Sequence, residues 1–401
     1  MKASDPISLV GTLSVGLAVS YGFGVGGPAQ AAEVWTRACE PAVSVSATYK
    51  ADVVSVLQGG LKDGTRFADN LDVIFDADLS RAIRWSGATA HVHILNNSGD
   101  APNDLAGTLQ GVDNIEVERQ RVKIYELWLE QQFGDASVRL GLYDLNSEFY
   151  ATDSAGLLIA PAFGIGSELA ATGPNGPSIF PSTALGMRLD WRASEAVTLR
   201  AAVINARAGV IGDPESVDLA FEDGALFIAE AAWRGPLALS LGGWRYSEQQ
   251  DDIRDLDGAG APRKRAAQGA YMSAERRLSA DDEGRTFTAF FRAGVSEGAT
   301  TDYAGGWQSG LLIERALPGR PDSAFSIGAY EGVLSDRLRA NQRDIGVATE
   351  RAESSIEVTF SDRLHKNLSV QPDLQFFPHP AGESGRDALW VANIRFTVEL
   401  N

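Results

Sequence analysis

The 401-residue chain has a single cysteine, four histidines and three methionines. One thiol, Cys39, cannot form an internal disulfide, so no covalent staple supports the fold. Beyond the first thirty residues no apolar run approaches the ~20 residues a membrane-crossing helix requires. A bundle of transmembrane helices is therefore excluded. Basic residues are scarce too: 35 Lys and Arg stand against 53 Asp and Glu, giving a formal charge of −18. Such a balance repels phosphates and argues against a nucleic-acid partner. Catalytic and metal signatures are thin. There is no His-Glu-x-x-His. His91 and His93 share a strand face, but no third His or Cys lies near them in sequence, so neither a metal site nor a cofactor is expected.

What the chain does have is alternation. Its closing run, Asp387 to Asn401, places Trp390, Ala392, Ile394, Phe396, Val398 and Leu400 in one row. Asn393, Arg395, Thr397 and Glu399 fill the other. Period-two alternation is a β-strand with one apolar face. The same ribbon recurs at 70–79, 88–97, 124–133, 137–146, 184–193, 197–206, 225–234 and 237–246. It returns at 285–295, 305–317, 323–333, 354–364 and 367–377. Very short turns such as Gly134-Asp135-Ala136 alternate with long polar connections, and 42 glycines suit so many turns. The candidate long loops are 98–120, 169–181, 247–268 and 334–353, some of which could fold inward.

Parity assigns faces. Tyr125, Leu127 and Leu129 oppose Glu126, Trp128 and Glu130. Val138, Leu140 and Leu142 oppose Arg139, Gly141 and Tyr143. Leu185, Met187, Leu189 and Trp191 oppose Gly186, Arg188 and Asp190. Two folds satisfy this pattern: a soluble sandwich with its apolar face inside, or an outer-membrane barrel with that face in lipid and a wet interior. Length favours the barrel. At roughly 23 residues per strand and its loop, the chain makes about 16 strands, enough to enclose an aqueous channel. A closed cylinder also leaves no free edge, so the last strand would pair with a first strand within Val43 to Gln58.

The N-terminus reads as an export signal. Lys2 precedes an apolar stretch from Ile7 to Ser20, and Ala29-Gln30-Ala31 has the small-x-small form of a cleavage site. The expected organisation is a signal peptide over 1–31, a short segment over 32–42 and a β-barrel over 43–401. Asp76 to Asp78 and Asp281 to Glu283 read as loop acid runs, more often solvated charge than Ca²⁺ ligands.

Three separated stretches resemble the OprB family of carbohydrate-selective porins. Tyr125 to Gly164 has a Trp-Leu-Glu-Gln strand turning into an Arg-x-Gly strand, then Asp-x-Asn-x-x-Phe. Pro177 to Trp191 is similar to the family's Pro-x-x-x-x-Gly-x-Arg segment. Leu368 to Leu400 carries Gln-Pro-Asp-x-Gln and, later, Asp-Ala-Leu. The family usually ends on an aromatic residue, whereas this chain ends Leu400-Asn401. The resemblance implies an all-β, 16-stranded transmembrane antiparallel barrel with short periplasmic turns and long extracellular loops. Its function would be passive diffusion of mono- and small oligosaccharides across the outer membrane of a Gram-negative bacterium.

A sugar channel needs no catalysis. It needs carboxylates and guanidinium groups that trade hydrogen bonds with hydroxyls, and aromatic faces that stack on C–H surfaces. Contacts must stay weak enough for release. Glu126, Trp128, Glu130, Arg139, Tyr143, Asp144, Arg188 and Asp190 are the pore-lining and sugar-contact candidates; for each the plain alternative is an ordinary wet wall. Expected partners are carbohydrate solutes, outer-membrane lipid and the outer-membrane assembly machinery, with a homotrimer open. The competing functions are a general cation-preferring porin, a secreted soluble β-protein such as an adhesin or carbohydrate-binding module, and, last, a barrel enzyme.

Overall fold

Strands dominate because apolar and polar residues alternate, which commits each segment to two unlike faces. The computed structural model describes residues 41–213, 216–281 and 284–400. The proposed signal peptide and Cys39 lie outside that range. The strands are β1 (Val43–Gln58), β2 (Gly64–Asp78), β3 (Ala88–Gly99), β4 (Arg121–Phe133), β5 (Ala136–Tyr143), β6 (Ala184–Arg192), β7 (Val197–Asn205), β8 (Ala225–Trp233) and β9 (Ala238–Tyr246). There follow β10 (Gln250–Leu256), β11 (Pro262–Arg265), β12 (Gln268–Ala280), β13 (Thr286–Ser296), β14 (Tyr303–Glu314), β15 (Ala324–Leu334), β16 (Ala352–His365), β17 (Leu368–Phe377) and β18 (Leu389–Leu400). All but β10 and β11 form one closed barrel in which neighbours run antiparallel. The expected 16-stranded architecture is therefore present. So is the predicted seam: β1 pairs with β18, with Asp52 opposite Arg395.

The outer surface carries the apolar rows. Leu140 and Met187 are paired neighbours and more than half exposed, and Ile394 and Phe396 of β18 face the same way. No soluble sandwich leaves such a belt uncovered. Among the described residues no helix is long and apolar enough to cross a membrane; the strands do the crossing.

One rim has tight connections, such as Gly134-Asp135 between β4 and β5, where Gly134 takes φ +61°. The other carries the long ones. Two of these, residues 100–120 and 144–183, turn into the barrel instead of outward. Their apolar side chains form the molecule's core against the inner wall. Leu145, Phe149, Tyr150, Ile165 and Leu169 pack on Ile204, Ile228, Trp244 and Tyr271. Leu105, Val112, Leu158 and Phe163 pack on Val56, Phe290, Tyr330 and Phe377. Wall glycines make room: a Cβ on Gly294 would lie 1.8 Å from Glu168, and one on Gly328 would lie 2.6 Å from the Phe163 ring.

Several expectations need correction. Residues 169–181, expected as an outer loop or one folded inward, take the second course, beginning inside the barrel with Leu169 fully buried. The interior is not uniformly wet, because the inward loops need apolar wall to pack on. Strand β12 was not evident in the sequence. Residues 247–268 contain the β10–β11 hairpin, and 334–353 contain a helix at Asp336–Asp344. Asp76 and Asp78 belong to strand β2, not to a loop; Asp78 caps the short helix Leu79–Ile83. Tyr125 does not share a face with Leu127. A bulge between His93–Glu126 and Ile94–Ile124 leaves Tyr125 unpaired and turns it inward, where its hydroxyl donates to Asp144 at 2.6 Å.

Candidate functional site

Strands β2 to β7 place charged residues side by side on the inner wall, because paired residues of adjacent strands share a face. Glu130 pairs with Arg139, Arg139 with Arg188, and Asp190 with Arg200. The side chains join accordingly. Arg139 and Arg188 both donate to Glu130 Oε2, at 2.7 and 2.8 Å. From the inward loop, Glu148 accepts from Arg188 Nε and Nη2, both at 2.8 Å. Arg200 bridges Asp190 at 2.9 Å and the Glu148 carbonyl at 2.6 Å. Burial alone would raise the Glu148 carboxyl, but Arg139, Arg188 and Arg200 outweigh it and hold it below its usual range.

Beside this network stands an aromatic step. The Arg139 guanidinium lies 3.8 Å over the Trp128 ring. His91, on the strand to the other flank, stacks on the same ring with centroids 4.5 Å apart. Trp128 Nε1 donates to Glu126 Oε1 at 3.3 Å, and the Asp144 amide donates to the same oxygen at 3.1 Å. Asp144 opens the inward loop and caps its first turn by accepting from the Asn146 amide. Burial first, then the neighbouring Glu126 charge, push its carboxyl up to about 7.

Between β1, β2 and the inward loops lies a cavity of about 490 Å³, lined in part by Lys50, Asn70, Asp72, Asn114, Asp144, Asn146 and Phe180, with Asp144 the one sequence candidate on its lining. Seven of the eight candidates from the sequence (Glu126, Trp128, Glu130, Arg139, Tyr143, Asp144 and Arg188) gather in one contiguous cluster, with Asp190 joined through Arg200. They are not equivalent. Arg188 keeps only 2% of its side-chain surface and Tyr143 is buried with its hydroxyl on Glu148. Those two hold the wall together. Glu130, Arg139 and Asp190 keep between 13 and 24%.

Sequence reasoning missed the residues that hold the loops inside. Glu353 accepts the Leu109 and Gln110 amides at 2.9 and 3.0 Å. Glu357 accepts the Ile159 and Ala160 amides. Arg292, fully buried, donates to the carbonyls of Tyr150, Ala162, Phe163 and Gly164 at 2.7 to 3.2 Å. The available signal was inward parity for each charge; the partners are backbone groups that carry no sequence signature. Gly294-Val295-Ser296-Glu297-Gly298 has the spacing of a hydrolase elbow, but Ser296 ends a strand and donates to the Tyr303 carbonyl at 2.6 Å. No strand-to-helix elbow exists there.

A barrel, an inward loop constriction and a charged aromatic wall together describe a selective channel. The family model for OprB, the carbohydrate-selective porins, matches residues 62–400. The chain belongs to the OprB family. Porin B of Pseudomonas aeruginosa is 20% identical over 402 residues, covering 90% of this chain and 88% of that protein. The high-pH structure of OprB from Pseudomonas putida aligns with a TM-score of 0.79 at 19% identity, covering 90% of this chain and 94% of the other. The low-pH structure of the same protein gives 0.55 at 15%, covering 90% and 93%. At such identities the structural likeness bears on the fold. Family and fold make this OprB-family chain a carbohydrate porin of the Gram-negative outer membrane, a channel rather than an enzyme.

Proposed function

We propose that mono- and small oligosaccharides pass the narrowing along the Trp128–Arg139–Glu130 step. The observation that carries this is the guanidinium seated 3.8 Å over the indole while its carboxylate partner stays partly exposed. Such a surface offers charged donors and acceptors to sugar hydroxyls, with the guanidinium seated on an indole whose other face is covered by His91. Glu130, Arg139, Asp190 and Trp128 act as sugar contacts, with Asp144 at the loop side. Glu126 positions Trp128, while Tyr143 and Arg188 fix the wall. The apolar belt contacts outer-membrane lipid. Export through the 1–31 signal peptide, insertion by the assembly machinery and association into a homotrimer complete the reading.

Liposome swelling over a size-matched panel of sugars and polyols tests it. Trp128→Ala, which unseats the Arg139 guanidinium, is expected to lower sugar permeation several-fold relative to a polyol of equal size, a loss of about 1–2 kcal/mol. Rates that follow solute size alone, in the parent and the variant alike, would refute the assignment.

A further inference from the structure

We propose that the inner wall holds a transition-metal site, best suited to Zn²⁺, built from His91, His93 and Glu126. The two histidines lie two apart on β3, on the same face, and Glu126 is paired with His93 from β4. Their free donor atoms converge. His91 Nε2 is 3.7 Å and His93 Nδ1 is 3.8 Å from Glu126 Oε2, and all three ligand atoms lie within 4.8 Å of one another. A four-coordinate zinc with bonds of about 2.0–2.1 Å separates its ligands by about 3.3 Å, so about half an ångström of closure on Glu126 and up to about 1.5 Å between the two imidazoles, within reach of side-chain rotation, would form the shell. A hydrogen bond from a charged imidazole would instead sit at about 2.7–2.9 Å.

The outer contacts favour a metal. His91 Nδ1 is 2.7 Å from Asp76 Oδ1, and His93 Nε2 is 2.9 Å from Asp72 Oδ1. With one nitrogen of each ring bonded outward to its aspartate, the other nitrogen is left facing Glu126. Carboxylate–histidine pairs of this kind orient metal ligands and raise their basicity. His91 Nε2 is buried and has no hydrogen-bond partner. Glu126 divides its labour: Oε1 already accepts from Trp128 and Asp144, and Oε2 makes none of those bonds. Two ring nitrogens and a carboxylate oxygen facing one another need positive charge between them, and a metal ion supplies it to all three at once where a ring proton serves only one nitrogen. Three protein ligands leave a fourth position for water. Each side chain keeps 11 or 12% of its surface open, enough for entry from the lumen. The pattern escaped the sequence because the third donor is a carboxylate brought over by strand pairing, not a third His or Cys.

The test is calorimetric titration of Zn²⁺ alone into the detergent-purified full chain in a Cys39→Ser, His365→Asn, His379→Asn background, which removes the other zinc-prone side chains. One ion per chain is expected, weakened at least tenfold by His91→Ala, His93→Ala or Glu126→Gln. Strand circular dichroism of each variant checks that the barrel has formed. X-ray absorption at the zinc edge on the unsubstituted barrel supplies an arm that needs no variant, with two imidazole nitrogens and one carboxylate oxygen expected at about 2.0–2.2 Å. An absence of saturable binding, or binding that ignores all three substitutions, or a zinc spectrum without imidazole ligands, would overturn the proposal.

Discussion

Arg188 and Arg139 share the Glu130 carboxylate yet should respond differently to truncation. Arg188 is almost wholly enclosed, with Glu130, Glu148 and Ser137 as partners. Its removal takes the nearest cation from Glu148 and one of two from Glu130, leaving only Arg139 and the more distant Arg200, so the loss should fall toward the lower end of the about 3–5 kcal/mol that breaking a buried pair costs. Arg139 is more open and leaves Glu130 still paired with Arg188, so its loss should cost about 1 kcal/mol. Denaturant unfolding of the refolded barrel, followed by Trp fluorescence, should therefore rank Arg188→Ala well below Arg139→Ala. Equal midpoints would contradict the division into wall-holding and solute-facing residues. Parity made this cluster legible: the inward rows of β4, β5 and β6 come straight from alternation. It failed at Tyr125, because a bulge adds one residue and flips everything before it. It also said nothing of Glu148, and for Arg200 and Arg292 it could give the inward face but not the loop that folds back onto them.

At the scale of elements, strands with strong outward apolar rows were readable and the others were not. β12 has an outward row that includes Ala270, Met272, Ala274 and Arg276, too small and too charged to announce a lipid face. The helix Asp336–Asp344 has no buried residue and hence no apolar stripe, although Ser335 caps it by accepting from the Leu338 amide. This helix supports the β10–β11 hairpin through Asp252. That carboxylate accepts the Arg254 and Asp255 amides and bonds Arg265 and Arg337 at 3.2 and 3.0 Å. Burial alone would raise it, but those amides and guanidinium groups pull it down to about 2. A depressed carboxyl contributes stability above its unfolded value, near 3.9, and loses it as pH falls toward the folded one. Hydrogen-exchange protection of the hairpin amides, corrected for intrinsic rate, should be constant above pH 5 and drop between about pH 4 and 2. Asp252→Asn should lack that protection already at pH 6. Protection insensitive to both would show that the hairpin is held by other means.

For the whole molecule, closure and narrowness have separate causes. Closure is set at the seam, where Arg395 donates to both oxygens of Asp52 at 2.6 to 3.0 Å across β18 and β1. A 16-stranded cylinder by itself leaves a wide aqueous channel, so the narrowing belongs to the inward loops. Their anchorage is lopsided. Apolar packing holds residues 144–183 broadly, whereas the backbone amides at Leu109–Gln110 and Ile159–Ala160 depend on two carboxylates of a single strand, Glu353 and Glu357. Replacing both with alanine leaves the barrel's strand pairing intact, since ladder bonds are backbone to backbone, but leaves those four amides of the inward loops, and the Ala381 amide beside them, without acceptors. At about 1–3 kcal/mol for each buried group left unpaired, the inward conformation loses its margin. Glu353→Ala/Glu357→Ala should therefore raise single-channel conductance in planar bilayers several-fold while strand circular dichroism stays unchanged, and discrimination between sugars should relax toward size order. An unaltered conductance would mean that apolar packing and the Arg292 bonds to the loop carbonyls seat the loops without the carboxylates on β16.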